Sequence, residues 1–248
     1  QSVLGGRFRL DSDEFARAYQ SAWAAMQAEG QRRGWPEVIV QPVDEPGWQD
    51  QQAKDRTVRL LQLLKQIPGL RTEQDGPADE FFEEIAGFHA DVWNYNGGLG
   101  TPERVARAIA EGHIICCYNN DVEGYRPELQ RYAAGFFLLA SGTHGIYNWE
   151  YHGWQGSPYD DQDSKYGDFL HVYPATDTEV GGPATGWEGF REGTDDWKYC
   201  SLLRRLSARA RAAGHAAEAE AAVTVLNSIV ASLQYNPRLR NTARFEQM

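Results

Sequence analysis

The chain has 248 residues, 42% of them hydrophobic, which is enough for one large α/β domain with a sizeable core. Lys and Arg number 24 against 35 Asp and Glu, and the resulting net charge of -11 repels nucleic acids and anionic membranes. No apolar run approaches the roughly 20 residues of a membrane span. The composition therefore favours a neutral ligand, and the eight Trp and twelve Tyr suit stacking on sugar rings.

Helical and strand patterns alternate along the chain. Apolar residues at three- and four-residue steps predict a first helix over 11–33, which Asp11 or Ser12 can cap and Gly34 ends. A short β-branched strand follows at 38–40. Further helices are predicted at 51–66, 78–85, 101–112, 126–139, within 187–206 and within 215–233, with strands at 70–72, 88–93, 113–117 and 145–149 and a short apolar piece at 169–173.

Strands that alternate with helices predict an α/β fold with a parallel sheet, here of the (β/α)8 TIM-barrel type. Five strands of this kind can be assigned, whereas a complete barrel needs eight. The chain is therefore expected to be a single catalytic domain, 1–248, that resembles the later part of a barrel and ends in helices. An N-terminal segment or a further chain would supply the first strands, and a leader before Gln1 would imply a secreted or periplasmic protein.

Polar and aromatic residues collect where the predicted strands end, which is the functional face of a βα barrel. Asp44 and Glu45 follow the first strand, and Glu73 and Asp75 follow the second. The remaining strand ends supply Trp93, Asn94 and Tyr95, then Tyr118, Asn119 and Asn120, and finally Trp149, Glu150, Tyr151 and Trp154. Carboxylates, amides and aromatic rings on one face predict a carbohydrate site.

Glycoside cleavage needs one group to protonate the leaving oxygen and a second to stabilise or trap the anomeric carbon. Glu45 can supply the first, but no Glu follows the strand at 113–117 to act as a nucleophile. If the sugar carries a 2-acetamido group, its carbonyl oxygen can attack instead, and Asp44 would orient that group. A retaining mechanism on another sugar, with Glu150 or Glu73 as nucleophile, remains open.

Other interpretations of these residues also remain open. Asp44-Glu45-Pro46 could simply begin a loop or cap a helix. The chain could bind a glycan without cleaving it, because fold alone does not decide function. The histidines show no paired spacing for a metal, and neither a metal nor a cofactor is expected. Cys116, Cys117 and Cys200 are interpreted as packing residues.

Four short blocks resemble one known domain in their order and spacing. They are VDEP at 43–46, GIYNWEY at 145–151, YGDF at 166–169 leading to YP at 173–174, and WEGFREGTDD at 187–196. The domain is the glycoside hydrolase family 123 catalytic domain, with its uncharacterised bacterial relatives. The resemblance covers roughly residues 38–206.

This resemblance implies a substrate and a set of roles. In that family an Asp-Glu pair at the end of a barrel strand hydrolyses β-linked N-acetylgalactosamine with help from the substrate. By position, Asp44 resembles the residue that orients the acetamide and Glu45 resembles the acid/base. Trp149 and Tyr151 resemble the aromatic wall of the sugar pocket. The resemblance thus implies a glycosidase whose partner is a carbohydrate.

Overall fold

The computed structural model describes residues 9–118, 127–160, 163, 169–178 and 180–232. The chain divides into two compact units, Gln1–Cys116 and Cys117–Met248. Five strands form the main sheet in the order of the sequence, and the first three pair in parallel. Among the described residues, no helix combines the length and the apolar character that crossing a membrane requires.

The first unit alternates helices with strands. Its elements are α1 (Asp13–Arg33), β1 (Ile39–Val40), a 3-10 turn (Pro46–Trp48), α2 (Gln51–Leu64), β2 (Arg71–Gly76), a π-helical segment (Phe81–Ala86), a second 3-10 turn (Gly87–His89), β3 (Val92–Asn96), α3 (Pro102–Ala110) and the start of β4 (Ile114–Tyr118). This alternation confirms the predicted α/β class.

Side-chain caps begin the helices of this unit. The Ser12 hydroxyl accepts the Phe15 N–H at 3.1 Å, and the Asp50 carboxylate accepts the Ala53 N–H at 2.9 Å. Gly34 ends α1 at φ 67°, a left-handed conformation that costs glycine little. These local signals explain why the start of α2 and the end of α1 agree with the sequence pattern.

The core of the first unit lies between α1, α2 and the first strands. α1 contributes Phe15 and Tyr19, whose rings stack with centroids 5.5 Å apart. Leu64 of α2 is completely buried there. The other members of this core are Val40, Val43, Leu60, Leu63, Ile67 and Leu70. Because Val43 is anchored in this core, the chain that follows it leaves the sheet in a fixed direction.

The second unit combines a helical layer with short strand pairs. Its elements are the end of β4, α4 (Pro127–Tyr132), a π-helical segment (Ala133–Phe137), α5 (Leu138–Ser141), β5 (Gly145–Ile146), β6 (His152–Gly153), β7 (Phe169–Leu170), β8 (Val172–Tyr173), β9 (Gly182–Pro183), α6 (Thr185–Ala212) and α7 (Ala216–Ser232). β6 pairs with β7 and β8 with β9, both antiparallel.

Glycines allow α4 and α6 to pack closely. A Cβ atom at Gly189 would overlap the backbone of Pro127, and one at Gly193 would overlap the backbone of Arg131. The Arg131 guanidinium also bridges the two helices, since it contacts Glu192 at 2.9 Å and Asp196 at 2.7 Å. The glycines therefore allow the close approach of α4 and α6, and the ion pairs of Arg131 lie beside this contact.

The strand boundaries differ from the predicted ones in a way that changes the site. β2 extends to Gly76, so Glu73 and Asp75 lie within the strand, and the expectation that they follow it is wrong. β3 spans Val92–Asn96, so Trp93, Asn94 and Tyr95 also lie within a strand instead of after it. Their side chains consequently alternate between the two faces of the sheet.

Candidate active site

The Asp44-Glu45 pair lies in a sharp turn between β1 and the 3-10 turn. Glu45 has φ 43° and ψ 52°, and among the described residues it is the one non-glycine residue with positive φ. A non-glycine residue in this conformation costs on the order of 1–3 kcal/mol, and such strain is concentrated at functional sites. The turn leaves Asp44 exposed and Glu45 half-buried.

Side chains of β2 hold the backbone of this turn. The Asp75 carboxylate, which is 4% exposed, accepts the Glu45 N–H at 2.9 Å. The buried Gln74 amide donates to the Val43 carbonyl at 3.2 Å and to Asp75 Oδ1 at 3.2 Å. The strained conformation is therefore fixed by two buried polar groups on the neighbouring strand.

The last residue of β3 holds the Glu45 side chain. Asn96 is 8% exposed, and its side-chain amide donates a hydrogen bond to Glu45 Oε1. An amide that is itself buried has few alternative rotamers, so the carboxyl group it binds is held in one place. Asn96 is absent from the predicted site because the predicted strand ended at residue 93.

The register of β2 and β3 separates polar from aromatic residues. Asp75 is paired with Asn94, so Glu73, Asp75, Asn94 and Asn96 share one face of the sheet. Trp93 and Tyr95 share the other face and are 2% and 0% exposed. The Trp93 indole donates to the Gly87 carbonyl at 2.8 Å, and the Tyr95 hydroxyl donates to Glu83 at 3.1 Å. Both rings belong to the core and offer no face to a sugar, contrary to the expectation from sequence.

A second carboxyl group lies on the polar face. The Asn94 amide donates to Glu73 Oε1 at 3.0 Å, and within the described part of the chain this is the hydrogen bond that Glu73 makes. Burial raises the pKa of Glu73, and the hydrogen bond from Asn94 offsets part of that rise. Glu73 therefore favours its neutral form more than an exposed Glu does.

The aromatic residues of the second unit that were predicted to form the site lie mainly at the surface. The exposed fractions are 58% for Trp149, 58% for Tyr151 and 39% for Trp154, and Glu150 is also exposed. Tyr118 is the exception at 7%. Asn119 and Asn120, which were predicted beside it, lie outside the described residues, as do 166–168 of the third block. The rings at 149–154 are thus accessible, and their stacking on a sugar stays a prediction.

A buried polar group lies behind these rings. His171 is 6% exposed. The centroid of its ring lies 6.1 Å from that of Tyr151 and 5.4 Å from that of Trp187. The Asn148 amide donates to Gln130 at 3.0 Å and lies 3.0 Å from His171 Nε2, so this nitrogen acts as the acceptor. Burial lowers the pKa of His171, in agreement with a neutral ring that carries its hydrogen on Nδ1.

The polar face of the first unit suits acid–base chemistry on a neutral ligand. It combines a held carboxyl group at Glu45, an exposed one at Asp44 and, at Glu73, one whose pKa is raised by burial. No cluster of three or more His, Cys, Asp or Glu in the described ranges could hold a metal ion. Paired carboxyl groups beside amides on the polar face of an α/β sheet are typical of glycosidases.

Comparison with known families identifies the class and then the family. Residues 3–203 match the family described as "Glycoside hydrolase 123, catalytic domain", which is a glycosidase domain. The match covers most of the chain, and the chain therefore belongs to glycoside hydrolase family 123. This confirms the family resemblance of the four sequence blocks. No curated protein sequence matches the chain.

A solved structure shares the fold. It is a family 123 glycoside hydrolase from Clostridium perfringens, studied for the hydrolysis of glycolipid glycans. The two are 14% identical with a TM-score of 0.57, and the similarity covers 82% of this chain and 37% of the other. The chain thus spans well under half the length of this structural neighbour.

Proposed function

We propose that this domain hydrolyses a β-linked N-acetylhexosaminide, of the N-acetylgalactosamine type, by substrate-assisted catalysis with retention. The observation that carries the proposal is the Asp44-Glu45 turn, in which Asp75 holds the Glu45 backbone and Asn96 holds its carboxyl group. The five strands in sequence order support a fold of the (β/α)8-barrel type. The structural neighbour was studied for the hydrolysis of glycolipid glycans, which supports a glycan as the substrate.

The proposed reaction has two steps. In the first, the acetamide carbonyl oxygen attacks the anomeric carbon, Glu45 gives its proton to the glycosidic oxygen, and the bond to the leaving group breaks. Asp44 accepts the acetamide N–H and so directs the carbonyl oxygen toward the anomeric carbon. In the second, a water molecule opens the resulting bicyclic oxazolinium ion while Glu45 removes the water's proton. Two inversions at one carbon give net retention.

Glu73 supports a second mechanism, in which it attacks the anomeric carbon itself. It lies on the same face of the sheet as Asn96, the residue that holds Glu45. A nucleophile of this kind must be ionised, however, and burial favours the neutral form of Glu73. The substrate-assisted mechanism is favoured because Asp44 and Glu45 require no contribution from Glu73.

The test compares two substitutions on two leaving groups. Glu45→Gln should lower kcat/KM about 100- to 10,000-fold on a methyl or disaccharide N-acetyl-β-galactosaminide, and less on the nitrophenyl glycoside, whose leaving group needs little protonation. Asp44→Asn should lower kcat/KM on both by similar factors, because it acts on the attacking group. Glu103→Gln, which changes an exposed carboxylate in α3, is the matched control and should match the wild type.

A second comparison tests substrate assistance directly. The 2-acetamido glycosides should be hydrolysed and their 2-hydroxy analogues should not, as measured with nitrophenyl N-acetyl-β-galactosaminide and nitrophenyl β-galactoside. Equal rates on the two would exclude assistance by the substrate. Covalent labelling of Glu73 or Glu150 by a 2-fluoro glycoside would establish a protein nucleophile instead.

A further inference from the structure

Glu73 has no role in the proposed reaction, although it lies on the polar face of the sheet. It is two residues from Asp75 along β2, and its carboxyl group is bonded to Asn94, two residues from Asn96 along β3. Residues two apart in a strand are separated by about 6.6 Å and point the same way. The Glu73–Asn94 hydrogen bond therefore resembles the Glu45–Asn96 hydrogen bond but lies two residues earlier in β3.

The two-residue repeat between Asn94 and Asn96 in β3 is comparable to the length of one sugar ring. Glu45 must lie beside the oxygen on the anomeric carbon, because it protonates that oxygen. A pyranose ring places its C4 oxygen at the opposite end, at a separation comparable to one two-residue repeat of a strand. A sugar that lies along the strands with its anomeric carbon at Glu45 would bring its C3–C4 edge toward Glu73.

The Glu73–Asn94 pair also leaves hydrogen-bond acceptors unused. Asn94 is 8% exposed, and its side-chain carbonyl oxygen has no donor among the described residues. Glu73 uses one carboxyl oxygen for the Asn94 amide, and the described residues provide no donor for the other. A buried acceptor without a donor is costly, and such groups are found where a ligand or ordered water completes them. Hydroxyl groups at C3 and C4 are donors of the required kind.

We infer that Glu73 binds the hydroxyl groups on the C3–C4 edge of the sugar whose bond Glu45 protonates, and that Asn94 is a positioning residue for Glu73. The inference rests on the proposed function and adds to it, because it makes Glu73 the residue that distinguishes galacto from gluco configuration at C4. It also assigns the reacting sugar a fixed orientation, with its anomeric carbon at Glu45 and its C3–C4 edge at Glu73.

This role is tested by removing the Glu73 side chain and the C4 hydroxyl of the substrate, first separately and then together. In the wild type, removing the C4 hydroxyl from nitrophenyl N-acetyl-β-galactosaminide should lower kcat/KM about 10- to 100-fold, the effect of losing a hydrogen bond to a carboxyl group. In Glu73→Ala the same removal should change kcat/KM less than about twofold, because the partner is already gone. Glu73→Met keeps a similar side-chain length without an acceptor oxygen and provides the cycle again if the Ala variant does not fold. Equal losses in the wild type and in Glu73 variants for both the 3-deoxy and 4-deoxy substrates would overturn the inference.

Two controls separate this inference from its alternatives. The 6-deoxy substrate should lose the same factor in the wild type and in the Glu73 variants, since Glu73 does not reach that edge. Loss of all activity in Glu73→Ala, with rescue by azide, would identify a nucleophile and overturn the binding role.

The cycle can also be measured without turnover. Calorimetric titration with N-acetylgalactosamine and its 4-deoxy analogue measures the same cycle as dissociation constants. The two proteins are Glu45→Gln and the double variant that also carries Glu73→Ala. Failure of hydrolysis would contradict the proposed function and leave this measurement intact. In Asn94→Ala the dissociation constants of N-acetylgalactosamine and its 4-deoxy analogue should differ less than in the protein that keeps Asn94. The unfolding transition of this variant should stay cooperative.

Discussion

At the scale of single residues, the site depends on how one strained residue is held. Glu45 adopts a left-handed conformation that an ordinary turn would give to glycine. Glycine there would remove the strain but also the carboxyl group, and Asp75 and Gln74 supply the hydrogen bonds that keep a glutamate in place. The strain is thus compatible with folding because neighbouring side chains compensate it.

Asn96→Asp should separate positioning from packing at this residue. The substitution keeps the shape of the side chain, but a carboxylate cannot donate to Glu45 and repels it. We expect kcat to fall about 10- to 100-fold with KM within about threefold of the wild type, because misplacement of a reacting group acts on the chemical step. Asn96→Ala should lose less.

The measurement is steady-state kinetics on a methyl N-acetyl-β-galactosaminide, with thermal unfolding alongside. Gln66→Ala, which removes an exposed amide elsewhere in the first unit, should leave kcat unchanged. Wild-type kcat in Asn96→Asp would show that the Asn96 contact does not position the acid.

The sequence predicts the Asp44-Glu45 pair and places Asp75 on the same face, but it does not predict Gln74, Asn96 or the contacts that hold the pair. A carboxylate pair after an apolar strand is a local signal, whereas the Asp75, Gln74 and Asn96 contacts cross 30, 31 and 51 residues of sequence. One signal for Asn96 was present: Trp93 and Tyr95 alternate with Asn94 and Asn96, and this period of two indicates a strand that continues to residue 96. Which face is polar becomes clear only from the pairing of β2 with β3.

At the scale of elements, the helices follow the sequence pattern more closely than the strands. α1 and α2 lie within the predicted ranges 11–33 and 51–66, because their caps and apolar periods are local. β2 and β3 end four and three residues later than predicted, at residues 76 and 96 instead of 72 and 93. Strand ends depend on pairing with another strand, which a single sequence does not display.

Gly193→Ala should destabilise the second unit despite the better helix propensity of alanine. Alanine in a helix gains about 1 kcal/mol over glycine, but the added methyl group at this site meets the backbone of Arg131. Backbone atoms of a packed helix cannot move aside cheaply, so overpacking should cost about 1–3 kcal/mol and decide the sign.

Urea denaturation of the two proteins measures this difference. Gly182→Ala is the matched control, because a methyl group there has no neighbour within 4 Å, and its effect should stay within about 0.5 kcal/mol. A Gly193→Ala protein as stable as the wild type would mean that α4 and α6 can separate without loss.

At the scale of the whole molecule, the net charge agrees with a neutral substrate. A net charge of -11 offers no electrostatic attraction to anions, so binding must come from hydrogen bonds and ring stacking. Among the described residues whose pKa burial perturbs are Glu73 in the first unit and His171 in the second. Burial raises the pKa of Glu73 and lowers that of His171, in each case toward the neutral form.

These two groups give the stability of the protein opposite dependences on pH. The raised pKa of Glu73 means that the folded protein holds this proton more tightly than the unfolded chain, so stability declines as pH rises above the ordinary range of Glu. The lowered pKa of His171 means that the unfolded chain binds the proton more tightly, so stability declines as pH falls below the ordinary range of His. Between these limits their effects on stability change in opposite directions.

His171→Gln should therefore make the protein less sensitive to mild acid. Glutamine can still accept a hydrogen bond from Asn148 but does not titrate, whereas protonation of His171 would turn its Nε2 into a donor that faces the Asn148 amide. From pH 7 to pH 5 the free energy of unfolding should fall less steeply in the variant than in the wild type, as measured by urea denaturation at each pH. His215→Gln, at an exposed histidine before α7, should keep the wild-type slope. Parallel slopes for wild type and His171→Gln would mean that folding does not change the pKa of His171.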